Sequence, residues 1–153
     1  MPIEMEKQDL ILAKKRLLKE KILTLAIAKN GKIIFETSSH GISGFLEAVE
    51  KLGDMLNGAS VADKVVGKAI ALLCVYKSVK MVYAVTLSRE AKAFFEEHEV
   101  YHEWEKLVEN ILDFKKVGVC PFEKLATEIS NPNEAYKRLK ALQNSLKMVD
   151  EKT

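Results

Sequence analysis

The sequence predicts an α/β protein, a three-layer α/β/α sandwich in which helices cover both faces of a mixed β-sheet. Two apolar runs of strand length flank Asn30-Gly31. This dipeptide supplies the two positive φ angles of a type I′ turn, so an antiparallel hairpin is expected to start the sheet. The apolar run 80–87 then precedes a segment of helical pattern. A hairpin followed by strand–helix alternation indicates a mixed sheet between layers of helices.

Composition limits the class of protein. The chain has 153 residues, 48% of them hydrophobic and 30% charged, with a formal net charge of +2. This balance is typical of a globular domain and lacks the basic footprint of a dedicated nucleic-acid binder. No apolar stretch approaches the roughly 20 residues of a membrane span, and no signal-peptide pattern is present. The two cysteines are far apart, which predicts a reduced, cytoplasmic protein.

The remaining elements follow from periodicity and turn residues. Residues 4–19 predict a highly charged helix with a poor apolar stripe, which suggests a solvated or partner-facing arm. Residues 106–117 are ambiguous. Strands are expected at 22–28, 32–37, 80–87 and 100–104. Helices are expected at 45–57, 60–76 and 89–98, and another is expected to begin at Pro121. A final amphipathic helix follows Asn131-Pro132-Asn133.

Three parts result from this order. They are a charged N-terminal helical arm at 1–20, an α/β domain at 21–130 and a C-terminal amphipathic helix at 131–153. The arm and the final helix are surfaces through which copies of the chain could assemble. A homo-oligomeric interaction module is therefore one of the functional hypotheses.

The segment 58–76 carries the strongest indication of a site. It is predicted as one buried helix that begins at Ser60, with Ser60 and Asp63 as a capping box. On that helix Lys64 and Lys68 lie four residues apart on one face, among apolar neighbours. The lysines then either extend to the protein edge and pair with glutamates, or bind an anionic or polar ligand together with the helix N-terminus.

A second candidate is the segment Gly118-Val-Cys-Pro-Phe-Glu123. Cys120 is placed at a helix N-cap, Pro121 at the first helical position and Glu123 at the third. A thiol at a helix N-terminus has a lowered pKa, which favours a reactive or redox role. The alternative is a small residue in a turn that Pro121 starts, with Glu123 as an ordinary cap. Cys74, within the apolar segment, is expected to be inert core.

Two further polar residues lie where ligands often bind. Ser88 ends the strand 80–87 and starts a helix, at the edge where open α/β sheets hold ligands, although a plain helix cap explains it too. His40 lies in a Gly-punctuated loop after the hairpin, either as part of a binding loop or as plain surface. No histidine has a partner at zinc spacing, so neither a metal nor a cofactor is expected.

Three strings of the sequence resemble a known family. They are the run Ala62-Asp-Lys-Val-Val-Gly-Lys-Ala-Ile-Ala-Leu-Leu73, the strand end Leu87-Ser88, and Gly118-Val-Cys-Pro-Phe-Glu-Lys124. Together they are similar to an uncharacterised prokaryotic domain family of unknown function, which has a cytidine-deaminase-like fold without the zinc motif. The resemblance covers roughly residues 20–126 and implies a cytidine-deaminase-like topology. The chain departs from the family pattern at Asp113-Phe114, where Asn-Arg is expected.

The resemblance also implies what the pocket lacks. A zinc deaminase carries His-x-Glu at the start of the buried helix and Pro-Cys-x-x-Cys at the start of the helix after the next strand. Here the two places are expected at Val61-Ala-Asp-Lys64 and Ser88-Arg-Glu-Ala91. Neither supplies imidazole or thiolate, so zinc-dependent deamination is not expected, and whether the protein is an enzyme is left open.

The expected function is therefore binding of a small polar or anionic, nucleotide-like ligand in a deaminase-like pocket. A thiol or redox role of Cys120 and an oligomeric interaction module are the alternatives. No nucleic-acid or membrane partner is expected, and the sequence does not identify the ligand. The candidate ligand-binding residues are Asp63, Lys64, Lys68, Ser88, Cys120, Glu123 and His40.

Overall fold

The sheet has five strands in the spatial order β2-β1-β3-β4-β5. The structure is a computed structural model that describes residues 2–112 and 118–152, without the side chains of 148–152. Strand β1 is antiparallel to both of its neighbours, whereas β3, β4 and β5 run parallel. The strands are β1 Leu25–Lys29, β2 Lys32–Thr37, β3 Ser60–Val66, β4 Met81–Ser88 and β5 Tyr101–Val108.

The described residues form six α-helices, and short 3-10 turns lie before α1, after α2 and before α6. The helices are α1 Gln8–Lys19, α2 Ile42–Leu52, α3 Lys68–Tyr76, α4 Arg89–Glu97, α5 Pro121–Thr127 and α6 Ala135–Lys152. Helix α1 packs on one face of the sheet, α2, α3 and α4 pack on the other, and α5 and α6 pack against α3. The predicted α/β sandwich with a mixed sheet is confirmed.

The hairpin forms as the sequence predicts. Asn30 and Gly31 have φ angles of 53° and 79°, as a type I′ turn requires. The Asp9 carboxylate accepts hydrogen bonds from both of their amides, at 3.0 and 2.8 Å. The turn therefore also anchors the start of α1.

The predicted helix 60–76 is wrong over its first part. Residues Ser60–Val66 form strand β3, and the helix begins only at Lys68, after Gly67. Strand β3 lies between β1 and β4 and is covered on both faces, so it lacks the alternation that identifies a strand. The Ser60–Asp63 capping box therefore does not exist, and Lys64 and Lys68 do not share a helix face.

Helix α1 is a layer of the fold, and the expectation of a solvated arm is wrong. Leu10, Ala13 and Leu17 are 1%, 0% and 0% exposed. They pack against Tyr83 and a set of small side chains that let the helix approach the sheet closely. Those small side chains are Ala26, Ala28 and Ala62.

The later part of the chain follows the prediction more closely. The short strand expected at 100–104 is longer and reaches Val108. The amphipathic α6 buries Leu139 and is tied to α2, because Lys140 lies 2.7 Å from the Glu50 carboxylate and the Gln143 amide donates to Ser43 at 3.1 Å. The departure predicted at Asp113-Phe114 lies outside the described residues.

Candidate functional site

The N-terminus of α3 is occupied by a carboxylate of the protein itself. The two oxygens of Glu123 accept hydrogen bonds from the backbone amides of Lys68 and Ala69, at 2.7 and 2.9 Å. Glu123 is 8% exposed, and burial raises its pKa from the ordinary value of a glutamate. The sequence placed Glu123 as a cap of its own helix, α5. Its carboxylate instead caps α3, which is 55 residues away in the chain.

Gly67 makes this contact possible. A Cβ atom at Gly67 would lie 2.0 Å from one oxygen of Glu123 and 2.3 Å from its carboxyl carbon. Any side chain at this position would therefore displace the carboxylate from the two amides. The strand–glycine–helix boundary at Val66-Gly67-Lys68 is thus set by close packing, because the φ angle of Gly67 is −106° and suits any residue.

Lys68 is the first residue of α3 and Ser88 precedes α4, and both side chains already have partners. The Lys68 ammonium is 3.8 Å from the Glu90 carboxylate, and its side chain is 13% exposed. The Ser88 hydroxyl accepts from the Ala91 amide at 3.0 Å and caps α4. The cavity that Ser88, Glu90 and Glu123 line holds about 30 Å³. That is room for about one water molecule, well below the size of a metabolite site.

Asp63 lies inside the protein. It is 6% exposed, and one carboxylate oxygen accepts from the Val65 amide at 3.2 Å. Its Cα partners on the neighbouring strands are Leu25 of β1 and Ala84 of β4. Because burial disfavours the charged form, the pKa of Asp63 is raised from 3.8 to about 7.

Lys64 and His40 come together in a different place, which we call the basic groove. The groove is lined by Lys21, Ile22, Leu23, Thr24, Ser38, His40 and Lys64, and its volume is about 550 Å³. It lies where β1 begins and β2 ends, beside the second half of β3. This volume lies in the range of small-molecule sites.

The groove carries positive charge that no carboxylate of the described chain balances. The Lys64 ammonium donates to the Lys21 carbonyl at 3.2 Å and forms no ion pair with the described residues. Its other protons remain for a ligand, because an ammonium has three donors. The Thr24 hydroxyl is already used and donates to the Ser39 carbonyl at 2.6 Å. Lys21, Ser38 and His40 are exposed to solvent.

Cys120 is half-buried at the position that precedes α5. Its amide donates to the Ile111 carbonyl at 2.9 Å, and its carbonyl accepts from the amides of Glu123 and Lys124. These bonds explain how α5 begins at Pro121. The thiol hypothesis for Cys120 stays a prediction, whereas Cys74 is fully buried in α3.

The sequence-predicted residues thus divide among three places. Lys64 and His40 line the basic groove, Asp63 lies in the core, and the other four lie around the N-termini of α3, α4 and α5. Lys21, Thr24 and Ser38 of the groove were not predicted, because nothing in the sequence distinguishes them. Gly67 was detectable, since a glycine between an apolar run and a helical run often marks a boundary.

The place expected for the His-x-Glu string of a zinc deaminase, Val61-Ala-Asp-Lys64, lies within strand β3 and not at the start of a helix. Helix α3 starts at Gly67-Lys-Ala69, which contains no imidazole or thiolate. Within the described part of the chain, His, Cys, Asp and Glu side chains do not converge in groups of three or more that could hold a metal ion.

The fold and its carboxylate-capped helix define an α/β domain with a mixed five-stranded sheet. Residues 13–142 match the model of the family described as Domain of unknown function (DUF1893), and the chain belongs to that family. A DUF1893 family protein of known crystal structure, from Thermotoga maritima, is 29% identical. Its TM-score is 0.77, over 88% of this chain and 90% of that one. The predicted family is therefore confirmed, and the match extends past residues 20–126 at both ends.

More distant structures show weaker likeness. A diaminohydroxyphosphoribosylaminopyrimidine deaminase/5-amino-6-(5-phosphoribosylamino)uracil reductase from Thermotoga maritima is 18% identical, with a TM-score of 0.43 over 82% of this chain and 42% of that chain. Acinetobacter baumannii RibD is 17% identical, with a TM-score of 0.45 over 82% of this chain and 39% of that one. No curated protein matches the chain.

The comparisons leave the biochemical role of the chain open. The helices of the described residues include none that combines the length and apolarity of a membrane crossing.

Proposed function

We propose that the protein binds a small anionic ligand with a phosphate or similar group in the basic groove, and that Lys64 is the principal cation. The observation that carries this proposal is the position of the Lys64 ammonium. It is held 3.2 Å from the Lys21 carbonyl at the groove wall, and no carboxylate of the described chain neutralises it. A half-buried cation that has a carbonyl partner but no negatively charged one binds most strongly to a ligand that supplies the missing charge.

The groove suits an anion better than the N-terminus of α3 does. At α3 the two amides that an anion would use already bind Glu123, at 2.7 and 2.9 Å. An incoming anion would have to displace that carboxylate and would then lie near Glu90 as well. In the groove, Lys21 and His40 add positive or protonatable groups near Lys64.

The groove also limits the kind of ligand. Leu23 and Ile22 provide apolar surface, and the Ile22 side chain is 78% exposed. The Ser38 hydroxyl offers a polar contact on the opposite loop. A ligand with an anionic group and a compact body that is partly apolar therefore fits best, such as a nucleotide or a phosphorylated metabolite. This keeps the ligand class expected from the sequence and moves it to a different pocket.

A thermal-shift screen tests the proposal. The probes are ATP, GMP, ribose 5-phosphate, inorganic phosphate and sulfate, each added to wild type and to Lys64→Ala. A probe at about 100 times its Kd stabilises the native state by about 2.7 kcal/mol, which in a chain of this size raises Tm by roughly 5 °C or more. We expect such a shift in wild type for at least one probe, and a loss of most of it in Lys64→Ala.

The matched control is Lys80→Ala, because Lys80 is an exposed lysine outside the groove and also lacks an ion pair in the described chain. It should respond to every probe as wild type does. Equal shifts in Lys64→Ala and wild type, or no shift with any probe, would contradict the proposal.

A further inference from the structure

Asp63 is a carboxyl group in the apolar layer of the core, next in sequence to the principal lysine of the groove. It is 6% exposed, between Leu25 on β1 and Ala84 on β4, which are both buried core residues. A carboxylate in such surroundings loses its hydration, and it is tolerated only where donors or cations replace the water.

The surroundings of Asp63 supply few such groups. In the described chain it forms no ion pair, and its donors are the backbone amides of Val65, at 3.2 Å, and of Lys64. Helix α3 presents the Cys74 thiol to it, and the pKa of that thiol is raised by burial and by the proximity of Asp63. The flanking strands present Leu25 and Ala84 at its level. The neutral acid is therefore the form that this site accommodates.

The backbone connects Asp63 to the groove. The Lys64 amide donates to the Thr24 carbonyl at 3.0 Å, and the Lys64 ammonium donates to the Lys21 carbonyl at 3.2 Å. Both bonds join the second half of β3 to the loop that forms one wall of the basic groove. A change that strains β3 at Asp63 therefore acts first on the bonds that hold Lys64 in place.

We propose that Asp63 is a positioning residue for the basic groove and works as a proton switch. Neutral Asp63 lets β3 hold Lys64 against the loop 21–24, and loss of the proton loosens that attachment. As far as ligand binding is concerned, the inference rests on the function proposed for the groove. The pKa of about 7 gives the range in which the switch operates, because the acid is neutral in the native state below that pH.

Amide hydrogen exchange in the ligand-free protein tests the switch. We follow the exchange rate of the Lys64 amide in wild type and Asp63→Asn from pH 5 to 8. Each rate is divided by the intrinsic exchange rate at that pH to give a protection factor. If opening requires Asp63 to ionise, the protection of this amide falls about tenfold per pH unit between pH 5 and 7 and levels off above 7. Asp63→Asn, which is uncharged at every pH, should keep a constant protection.

The Val100 amide, which lies between α4 and β5 and donates to the Phe95 carbonyl at 2.9 Å, is the internal reference, and its protection should not change. A Lys64 amide that is indifferent to pH in wild type, or that loses protection equally in Asp63→Asn, overturns the proposal. If Asp63→Asn fails to fold, the ¹³C carboxyl resonance of Asp63 in wild type shows whether the loss of protection follows the ionisation of Asp63. It must titrate in step with the loss of protection, and titration completed below pH 5 overturns the switch.

Sulfate binding separates this inference from the proposed function, since sulfate does not titrate in this range. We expect its Kd to rise about fourfold from pH 5.5 to 7.5 in His40→Gln, which removes the imidazole from the groove, and to stay nearly constant in the double variant with Asp63→Asn. If sulfate does not bind at pH 5.5, the groove is not a sulfate site. The switch is then tested by the hydrogen-exchange experiment alone. An equal rise in both variants counts against the switch.

Discussion

A buried carboxylate, Glu123, accepts the hydrogen bonds that a bound anion would accept at the N-terminus of α3. Its oxygens lie 2.7 and 2.9 Å from the amides of Lys68 and Ala69, and Gly67 leaves the space that it needs. The helix end therefore needs no ligand to satisfy these two amides, which would otherwise be buried without partners. This bond also joins α5 to α3.

We predict that Glu123→Ala lowers the free energy of unfolding by about 2–3 kcal/mol at pH 7, because two buried donors lose their acceptor. Urea denaturation measures the change. Glu97→Ala, at an exposed helical position without an ion pair in the described chain, should change stability by about 0.5 kcal/mol or less.

A double-mutant cycle with Gly67→Ala tests the steric part of the argument. A Cβ at Gly67 displaces the Glu123 carboxylate, so Gly67→Ala and Glu123→Ala remove the same two hydrogen bonds. The double variant should therefore lose clearly less stability than the two single losses added together. Strict additivity would show that the glycine and the carboxylate act independently.

At the scale of elements, α1 decides whether the second face of the sheet is covered. Leu10, Ala13 and Leu17 of α1 pack over alanines of β1 and β3, and Lys7 forms a 2.8 Å ion pair with Glu103 of β5. The sequence shows many charges in this segment because only one narrow side of the helix faces inward. Removal of residues 1–20 would therefore expose part of the core. A change in the sedimentation of the truncated chain would then reflect unfolding as well as any loss of assembly.

Neighbouring leucines on α1 give a matched test of this packing. Leu17 is fully buried, whereas Leu18 is 48% exposed. We predict that Leu17→Ala costs about 2–5 kcal/mol in urea denaturation and that Leu18→Ala costs about 0.5 kcal/mol or less. Similar costs for the two variants would contradict a docked α1 and support the solvated arm.

For the molecule as a whole, buried acids and surface ion pairs set opposite pH dependences. Burial raises the pKa of Asp63 to about 7 and raises that of Glu123. Hydrogen bonds from Arg16 and Lys140 lower the pKa of Glu36 and Glu50. An acid with a raised pKa stabilises the native state at low pH and loses that contribution as pH rises. An acid with a lowered pKa loses its contribution as pH falls. Stability should therefore be greatest in mildly acidic solution.

We predict that Asp63→Asn removes a decline in unfolding free energy between about pH 4 and pH 7. In wild type the native state keeps a proton that the unfolded chain has released, so stability falls with pH by an amount on the order of 4 kcal/mol, and it levels off above pH 7. Urea denaturation at several pH values measures both proteins. Asp54→Asn, at a fully exposed aspartate, should retain the wild-type profile. A parallel profile for Asp63→Asn and wild type would contradict a raised pKa at Asp63.

The sequence by itself determined the elements whose causes are local. The Asn30-Gly31 turn, the Ser88 cap and the start of α5 at Pro121 each depend on a few neighbouring residues, and all three were predicted. The family was also within reach, because its strings are continuous in the chain. Lys64 and His40 were predicted as candidate residues one at a time.

Only the tertiary structure decided which of those candidates meet. The sequence of a segment such as 60–66 is compatible with a buried helix and with a strand covered on both faces, and only its position between β1 and β4 settles the choice. Glu123 meets α3 across 55 residues, and Lys64 meets the Lys21 carbonyl across 43. Such contacts depend on how elements pack, because side chains far apart in the chain are brought together only by the burial of a shared core.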